Sequence, residues 1–239
     1  MSALRAIAWR EVGAYYRVPL GWVVTALYLL LAGVVFGFFV LQPAEPASLR
    51  PFFSFSHWLL VFVAPAVSMR LFAEEQRTGS LDGLRSAPVS DWIIVLGKYA
   101  GAAIFMLTML APTLLYLIVL ESVANPDYGP ILSGFLGMTL VAMLYLSVGM
   151  LASSLTSNQT VAFLSTLFAL VLWQLATTSG AAALGPPYDG ALYALSIDLR
   201  LESFSKGVLD TGDIVTLLVV SVWCVVLTGV GLESRRWRR

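Results

Sequence analysis

Long stretches without a charged residue dominate the polarity pattern of this chain. Charges are absent from residues 18–44, 51–69, 99–120, 128–188 and 214–232, and the polar run 153–160 divides the longest stretch into two. An apolar run of about 18 residues or more is long enough to cross a bilayer as a helix. The pattern therefore predicts an all-α integral membrane protein with six transmembrane helices, at about 19–41, 54–73, 96–120, 131–152, 161–184 and 213–232. Segments with the short alternation typical of a membrane β-barrel are absent from the sequence.

The positive charges indicate the orientation. Six spans place both termini on one side of the membrane. If that side is the cytoplasm, eleven Lys and Arg residues lie inside, and only Arg50, Arg200 and Lys206 lie outside. Since cytoplasmic loops carry an excess of Lys and Arg, both termini are predicted to be cytoplasmic.

Three segments lie outside the predicted spans. Residues 1–18 are expected to form an interfacial helix, because Arg5, Trp9 and Tyr16 share one helical stripe, although Glu11 interrupts the apolar side. Residues 74–95 form the one substantial cytoplasmic loop. The external segment, 185–212, is expected to hold a short interfacial or re-entrant helix, from the spacing of Leu192, Leu195, Leu199 and Phe204.

Composition agrees with a chain in lipid. Of 239 residues, 59% are hydrophobic and 12% are charged, where a soluble domain is about 25% charged. This excludes a soluble globular enzyme, a disordered chain and a nucleic-acid-binding domain. The first apolar run is longer than the core of a signal peptide and is interpreted as a retained span. The single cysteine, Cys224, excludes an internal disulfide.

The sequence predicts neither a catalytic residue nor a metal site. No phosphate-binding loop is present, since Gly97-Lys98-Tyr99 lacks the upstream glycine and the following hydroxyl. His57, the only histidine, is expected to have a structural role at the external end of the second span. An intramembrane protease is the enzyme alternative. Residues 74–77 are the nearest match to a metal-dependent type but lack its histidines. Residues 177–180 are the nearest match to a serine type but lack its first glycine. Since charges stop at the helix ends, any transport energy is expected to come from another protein.

The cytoplasmic loop carries the most informative run. Gly79 interrupts the helix that leaves the second span, Ser80 can cap a short new helix, and Pro88 ends it. Leu81 and Leu84 share one face of that helix. Two interpretations stay open at this point: a helix that docks into a groove on a partner protein, and a plain connecting loop.

The next helix is expected to project from the membrane. Ser90 can cap it, and the interval from Asp91 to Leu120 corresponds to about 45 Å of helix. The hydrocarbon core of a bilayer is only about 30 Å thick. The loop is therefore expected to be held below the membrane on two helical arms.

This run resembles the first cytoplasmic loop of ABC-2-type permeases. The residues that carry the resemblance are Glu75, Gly79, Ser80, Leu81, Leu84, Pro88, Val89 and Ser90, followed by Leu96, Gly97 and Lys98. The external residues 201–213 resemble the branch of this family that contains the gliding-motility-type and copper-processing-type permeases. This chain departs from that branch at Gly212, where a basic residue is common. The span count, the orientation and the length agree with the family along almost the whole chain.

The resemblance implies the transmembrane subunit of an ABC exporter of the bacterial inner membrane. Two such subunits, identical or paralogous, would pair, and each would dock a separate ABC ATPase that binds ATP and Mg²⁺. This chain would hold no cofactor of its own, would contact membrane lipid and would bind no nucleic acid. A periplasmic accessory protein is a further candidate partner. The docking and coupling residues would be Glu74, Glu75, Gly79, Ser80, Leu81, Leu84 and Pro88. A membrane anchor that recruits an ATPase to an envelope machine without transport is an alternative.

Small residues in the first span indicate a packing surface. Gly33 and Gly37 form a Gly-x-x-x-Gly pattern, which permits close approach of helices. The resemblance implies that they pack between two permeases, and packing within one subunit is the alternative. Polar residues within the spans are expected either to line a pathway or to bond a neighbouring helix: Thr108, Thr113, Tyr145, Ser165, Gln174 and Thr177.

Overall fold

The computed structural model describes residues 3–42, 48–79, 89–187 and 189–236, and every regular element in them is a helix. Six of these helices are long and apolar enough to cross a membrane, which confirms the predicted number of spans. They are Pro19–Val40, Arg50–Thr78, Asp91–Val123, Tyr128–Leu155, Gln159–Leu184 and Thr211–Ser234. We refer to them as the first to the sixth span.

The fourth span is the centre of the bundle, because it packs against the second, fifth and sixth spans. Two of its glycines show how close these approaches are. A Cβ at Gly149 would lie 1.9 Å from the Ser68 hydroxyl oxygen of the second span, and one at Gly137 would lie 2.7 Å from the ring of Phe204. Since helices in lipid associate through close packing, these glycines allow contacts that larger residues would prevent.

The first and fifth spans are the least buried. Each leaves the regular α-helix near its end with a π-helical turn, at Phe36–Val40 and Ala176–Gly180. Large apolar side chains such as Leu30, Phe38 and Phe168 are exposed on them. These two faces are therefore available to lipid or to another protein.

The second and third spans each have one irregular point. The third span consists of Asp91–Leu110, a 3₁₀ turn at Ala111–Leu114, and Leu115–Val123. Pro112 lies in that turn, where its missing amide cannot complete the α-helical ladder. The second span runs as Arg50–Ser68, turns at residues 69–72, and continues as the short helix Ala73–Thr78.

The N-terminal helix, Ala3–Arg17, lies against the third span. Its buried residues include Ala8, Val12 and Glu11, whereas Trp9 is exposed. The carboxylate that interrupts the apolar stripe in the sequence thus faces the protein interior. The placement of this helix at a membrane surface stays a prediction.

A second peripheral helix, Ile197–Ser205, closes the other end of the bundle, and we call it the cap helix. A shorter helix, Asp189–Tyr193, precedes it. The predicted short helix is present, but its predicted apolar face is partly wrong. Leu195 and Leu199 are exposed, whereas Ile197, Leu201 and Phe204 are buried, because the helix begins at Ile197 and seats Phe204 against the fourth span.

These contacts define two ends of the bundle. The N-terminal helix meets the end of the second span and the start of the third, and we call this the terminal end. The cap helix meets the start of the second and fourth spans and the end of the fifth, and we call this the cap end. Successive spans therefore cross the bundle in alternating directions.

Candidate functional site

A buried lysine lies at the centre of the terminal end. The side chain of Lys98 is 1% exposed, and its ammonium lies 3.2 Å from a Glu11 carboxylate oxygen and 2.9 Å from a Glu75 oxygen. The same Glu75 oxygen accepts a hydrogen bond of 2.9 Å from Arg10. The ammonium also lies 5.4 Å from the centre of the Phe72 ring. We call Arg10, Glu11, Glu75 and Lys98 the Lys98 cluster.

The Lys98 cluster joins three elements. Arg10 and Glu11 belong to the N-terminal helix, Glu75 to the short helix after the second span, and Lys98 to the third span. A buried charge that loses its partner is strongly destabilising, although an intact buried pair contributes little net stability. The cluster therefore fixes the relative positions of the three elements more than it adds free energy.

Two glycines bring the N-terminal helix close enough to reach Lys98. A Cβ on Gly97 would lie 2.8 Å from the Ile7 side chain, and one on Gly101 would lie 2.6 Å from the Glu11 Cβ. Residues four apart share one face of a helix, so Gly97 and Gly101 form a smooth seat for the N-terminal helix. The Leu96-Gly97-Lys98 run of the sequence thus combines a close approach with a charged contact.

Two tyrosines hold the other end of the N-terminal helix. The Tyr15 hydroxyl donates a 2.8 Å hydrogen bond to the Val67 carbonyl oxygen, and its ring stacks on Phe105 at 4.5 Å. Burial, with a smaller contribution from Glu11, raises the pKa of the Tyr15 hydroxyl, so the donor stays protonated. The Tyr16 hydroxyl lies 2.5 Å from the Thr108 hydroxyl. The N-terminal helix is therefore fastened to the second and third spans at both ends.

The fourth span supplies the cap for the short helix Ala73–Thr78. The amides of Phe72 and Ala73 each donate to the Ser153 hydroxyl oxygen at 3.1 Å, and that hydroxyl donates to the Met69 carbonyl oxygen. The Gln76 side chain donates to the Ser154 carbonyl oxygen at 2.9 Å. Since the first amides of a helix have no partner within it, Ser153 takes the role that an N-cap residue usually has.

The short helix ends where the sequence predicts. Gly79 has a φ of 71°, the left-handed conformation that glycine adopts without strain. Ser90 caps the third span by accepting a hydrogen bond from the Ile93 amide, also as predicted. Four predicted docking residues, Ser80, Leu81, Leu84 and Pro88, lie outside the described residues.

The two predicted docking carboxylates differ in their surroundings. Glu75 is directed into the Lys98 cluster, and its side chain is 16% exposed. Glu74 is 36% exposed and lies 2.7 Å from the Arg70 side chain. A cavity of about 320 Å³ opens beside both residues, with Arg10, Arg17 and Lys98 also in its lining. Glu74 is thus the more accessible of the two.

The first-span glycines also differ. A Cβ on Gly33 would lie 3.5 Å from the Tyr116 hydroxyl of the third span, whereas one on Gly37 would meet no described atom within 4 Å. Gly33 therefore packs within this chain, and Gly37 lies on an open surface. Their role between two permeases stays a prediction.

Most of the polar residues within the spans bond their own helix. The hydroxyls of Thr108, Thr113, Ser165 and Thr177 donate to backbone carbonyls three or four residues earlier. Gln174 instead donates to Asp198 in the first turn of the cap helix. Within the described ranges, no group of three His, Cys, Asp or Glu residues could hold a metal ion.

The sequence prediction missed the partners within the Lys98 cluster and the capping role of Ser153. A signal was present, since Glu11 falls on the apolar stripe of its helix and Lys98 falls inside a predicted span. Two residues of opposite charge, each among apolar neighbours in the sequence, indicate a buried ion pair. His57, which was expected to be structural at the end of a span, is buried and paired with Asp198.

Comparison with known families accounts for this architecture. The chain belongs to the ABC-2 family of transporter proteins, because that family's model matches residues 52–197, more than half of the 239 residues. The match contains Glu75, Lys98 and Ser153. Proteins of this family are membrane components of transporters rather than enzymes, and they generally work with an ABC ATPase subunit. No curated protein matches the chain.

Proposed function

We propose that this chain is the permease subunit of an ABC exporter in a bacterial inner membrane. The terminal end would face the cytoplasm. A separate ATPase subunit, which binds ATP and Mg²⁺, would dock on the predicted residues Glu74, Glu75, Gly79, Ser80, Leu81, Leu84 and Pro88. A second permease, identical or paralogous, would complete the membrane domain. Family membership and the six spans support the permease role. The Lys98 cluster is the observation that carries the coupling role.

The cluster gives a physical route from the ATPase into the membrane. The proposed docking segment begins with Glu74 and Glu75 in the short helix Ala73–Thr78 and continues beyond it. Glu75 connects this helix to Lys98 in the third span and to Arg10 in the N-terminal helix. Ser153 connects its first amides to the fourth span. A displacement of the docking segment would therefore move four elements together.

Buried, paired contacts suit this role. Lys98, Glu11 and Glu75 are largely buried and would lose a partner if one element moved alone, and breaking a buried pair costs about 3–5 kcal/mol. Arg10 is about half exposed, so its ion pair with Glu75 contributes less. Rigid movement of the whole terminal end avoids that cost. The open faces of the first and fifth spans would then repack against the second permease.

Co-purification tests the proposal. An ABC ATPase of the source organism is co-expressed with the wild-type permease, with Leu84→Asp, or with Val219→Asn, a change on the exposed face of the sixth span. We expect the wild type and Val219→Asn to retain the ATPase and Leu84→Asp to lose it, with equal membrane insertion of all three. If Leu84→Asp retains the ATPase, or if the wild-type permease does not, the docking assignment is contradicted.

A further inference from the structure

A cavity of about 700 Å³ opens at the cap end, and both Arg50 and Asp127 line it. We call it the cap cavity. Its walls come from the end of the first span, the starts of the second and fourth spans, and the end of the cap helix. Pockets of about 300–1,000 Å³ are the size that holds a small molecule. The cap cavity is therefore large enough for a ligand or for the headgroup of a lipid.

The inner wall of the cap cavity is apolar and firmly packed. Leu49, Phe53 and Ile131 belong to it, and each is at most 2% exposed. A Cβ on Gly134 would lie 2.1 Å from the Phe53 ring, so this ring is seated against the fourth span. The wall offers a preformed apolar surface to the part of a ligand that carries no charge.

Two opposite charges lie in the lining, and both side chains are exposed. The Arg50 Nε donates to the Ser205 carbonyl oxygen at 3.2 Å, and an Asp127 oxygen accepts from the Gly129 amide at 3.1 Å. Within the described part of the chain, Arg50 and Asp127 are paired neither with each other nor with another charged group. The terminal nitrogens of Arg50 and the second oxygen of Asp127 are thus available to a ligand that carries both charges.

The depth of the cap cavity is that of lipid headgroups. The first span ends at Val40, the second begins at Arg50, and Asp127 caps the start of the fourth. The polar headgroup region of a bilayer begins where helices leave the hydrocarbon core. A phospholipid of the adjacent leaflet therefore has its charged groups at the level of Arg50 and Asp127.

An apolar exit connects the cap cavity with the lipid. Phe39 lines the cavity and is 48% exposed, and its ring centre lies 4.5 Å from that of Phe55, which is 43% exposed. Residues two apart do not share a helix face, so Phe39 lies away from Gly37 and its predicted permease interface. Acyl chains can follow Phe39 and Phe55 while the headgroup occupies the cavity.

We propose that the cap cavity binds a phospholipid with a phosphoethanolamine headgroup, with its phosphate on Arg50 and its primary ammonium on Asp127. A guanidinium binds phosphate through two parallel hydrogen bonds, and an ammonium donates to a carboxylate. A phosphoglycerol headgroup has no cation for Asp127. The methylated ammonium of phosphocholine has no N–H to donate. The charges in the lining therefore select phosphoethanolamine.

Native mass spectrometry of the full chain in detergent tests the proposal without any ATPase. The protein is titrated with palmitoyl-oleoyl phospholipids that carry phosphoethanolamine, phosphocholine or phosphoglycerol. We expect the wild type to bind the first about tenfold more tightly than the other two. Asp127→Asn keeps the helix cap, because asparagine is an equally good N-cap residue, and is expected to lose this preference. Arg50→Gln is expected to weaken binding of all three lipids, since each carries a phosphate.

Matched controls change charges of the same sign elsewhere at the cap end. Glu202→Gln and Lys206→Gln alter an exposed pair outside the described lining and are expected to bind lipid like the wild type. Free phosphoethanolamine, which has no acyl chains, is not expected to displace the lipid at equal concentration.

Four results would overturn the proposal. They are equal binding of the three lipids by the wild type, an unchanged preference in Asp127→Asn, unchanged binding by Arg50→Gln, and loss of the preference in Glu202→Gln. Displacement by free phosphoethanolamine at equal concentration would contradict the role of the apolar wall and exit. Because only the cap end is measured, such a failure leaves the permease and docking proposals standing.

Discussion

The ammonium of Lys98 and a carboxylate oxygen of Glu75 lie 2.9 Å apart in the protein interior, and they join the third span to the helix that leads into the cytoplasmic loop. Glu11 takes a second position on the same ammonium, at 3.2 Å. The start of the proposed coupling segment is thereby connected to the membrane-spanning helices through buried charges.

Lys98→Met is predicted to destabilise the protein by about 3–5 kcal/mol, because it leaves Glu11 and Glu75 buried near one another without their shared cation. Lys206→Met removes a lysine from a pair whose side chains are about half exposed and is expected to change stability by less than about 0.5 kcal/mol. Denaturant unfolding in detergent measures both. Equal stability of the two variants would contradict a structural role for the buried pair.

Gly101→Ala is predicted to displace the N-terminal helix, because the new Cβ would lie 2.6 Å from the Glu11 Cβ and 2.7 Å from the Ala8 carbonyl oxygen. Overpacking of this kind costs about 1–3 kcal/mol. Gly231→Ala is the matched control, since a Cβ there meets nothing within 4 Å. Hydrogen exchange of residues 3–17 should rise in Gly101→Ala alone, and unchanged exchange would mean that the close approach is unimportant.

Ser153→Ala is predicted to loosen the short helix Ala73–Thr78, because the amides of Phe72 and Ala73 lose their acceptor. An unsatisfied buried group costs about 1–3 kcal/mol. Ser165→Ala, which removes a hydroxyl that bonds only its own helix, serves as the control. Thermal unfolding together with exchange of residues 72–78 distinguishes the two variants, and similar exchange in both would contradict the cross-span cap.

Gly37→Leu is predicted to weaken association between two permeases while leaving the fold of each intact, because Gly37 lies on an open surface of the first span. Gly231→Leu places the same side chain on an open position of the sixth span and is expected to leave association unchanged. Mass measurement of the purified protein in nanodiscs reports the number of copies. If the two variants associate alike, the first-span glycines do not form the interface.

Much of the fold could be predicted because its signals are local. Gaps between charges locate the six spans, and Gly79 and Ser90 mark helix ends by their own backbone and side-chain preferences. The Lys98 cluster could not be predicted in the same way. Glu11 and Lys98 are 87 residues apart, and each by itself is only a charge in an apolar context.

The cap helix, too, could be predicted only in part from local sequence signals. Its existence follows from the spacing of leucines, but the face that it buries depends on Gly137, which receives the Phe204 ring from another part of the chain. His57 likewise pairs with Asp198, which comes from a distant part of the chain. Contacts between distant segments decide both features, and no local pattern encodes them.

The most direct measurement of the central claim is permease-stimulated ATP hydrolysis in nanodiscs that contain the ABC ATPase retained in the co-purification. Glu75→Gln weakens the link to Lys98 and Arg10, whereas Glu202→Gln changes an exposed carboxylate of the cap helix, at the other end of the bundle. We predict that both variants still bind the ATPase, that Glu202→Gln is stimulated like the wild type, and that Glu75→Gln loses most of the stimulation. Full stimulation of Glu75→Gln, or no stimulation by the wild-type permease, would contradict the account.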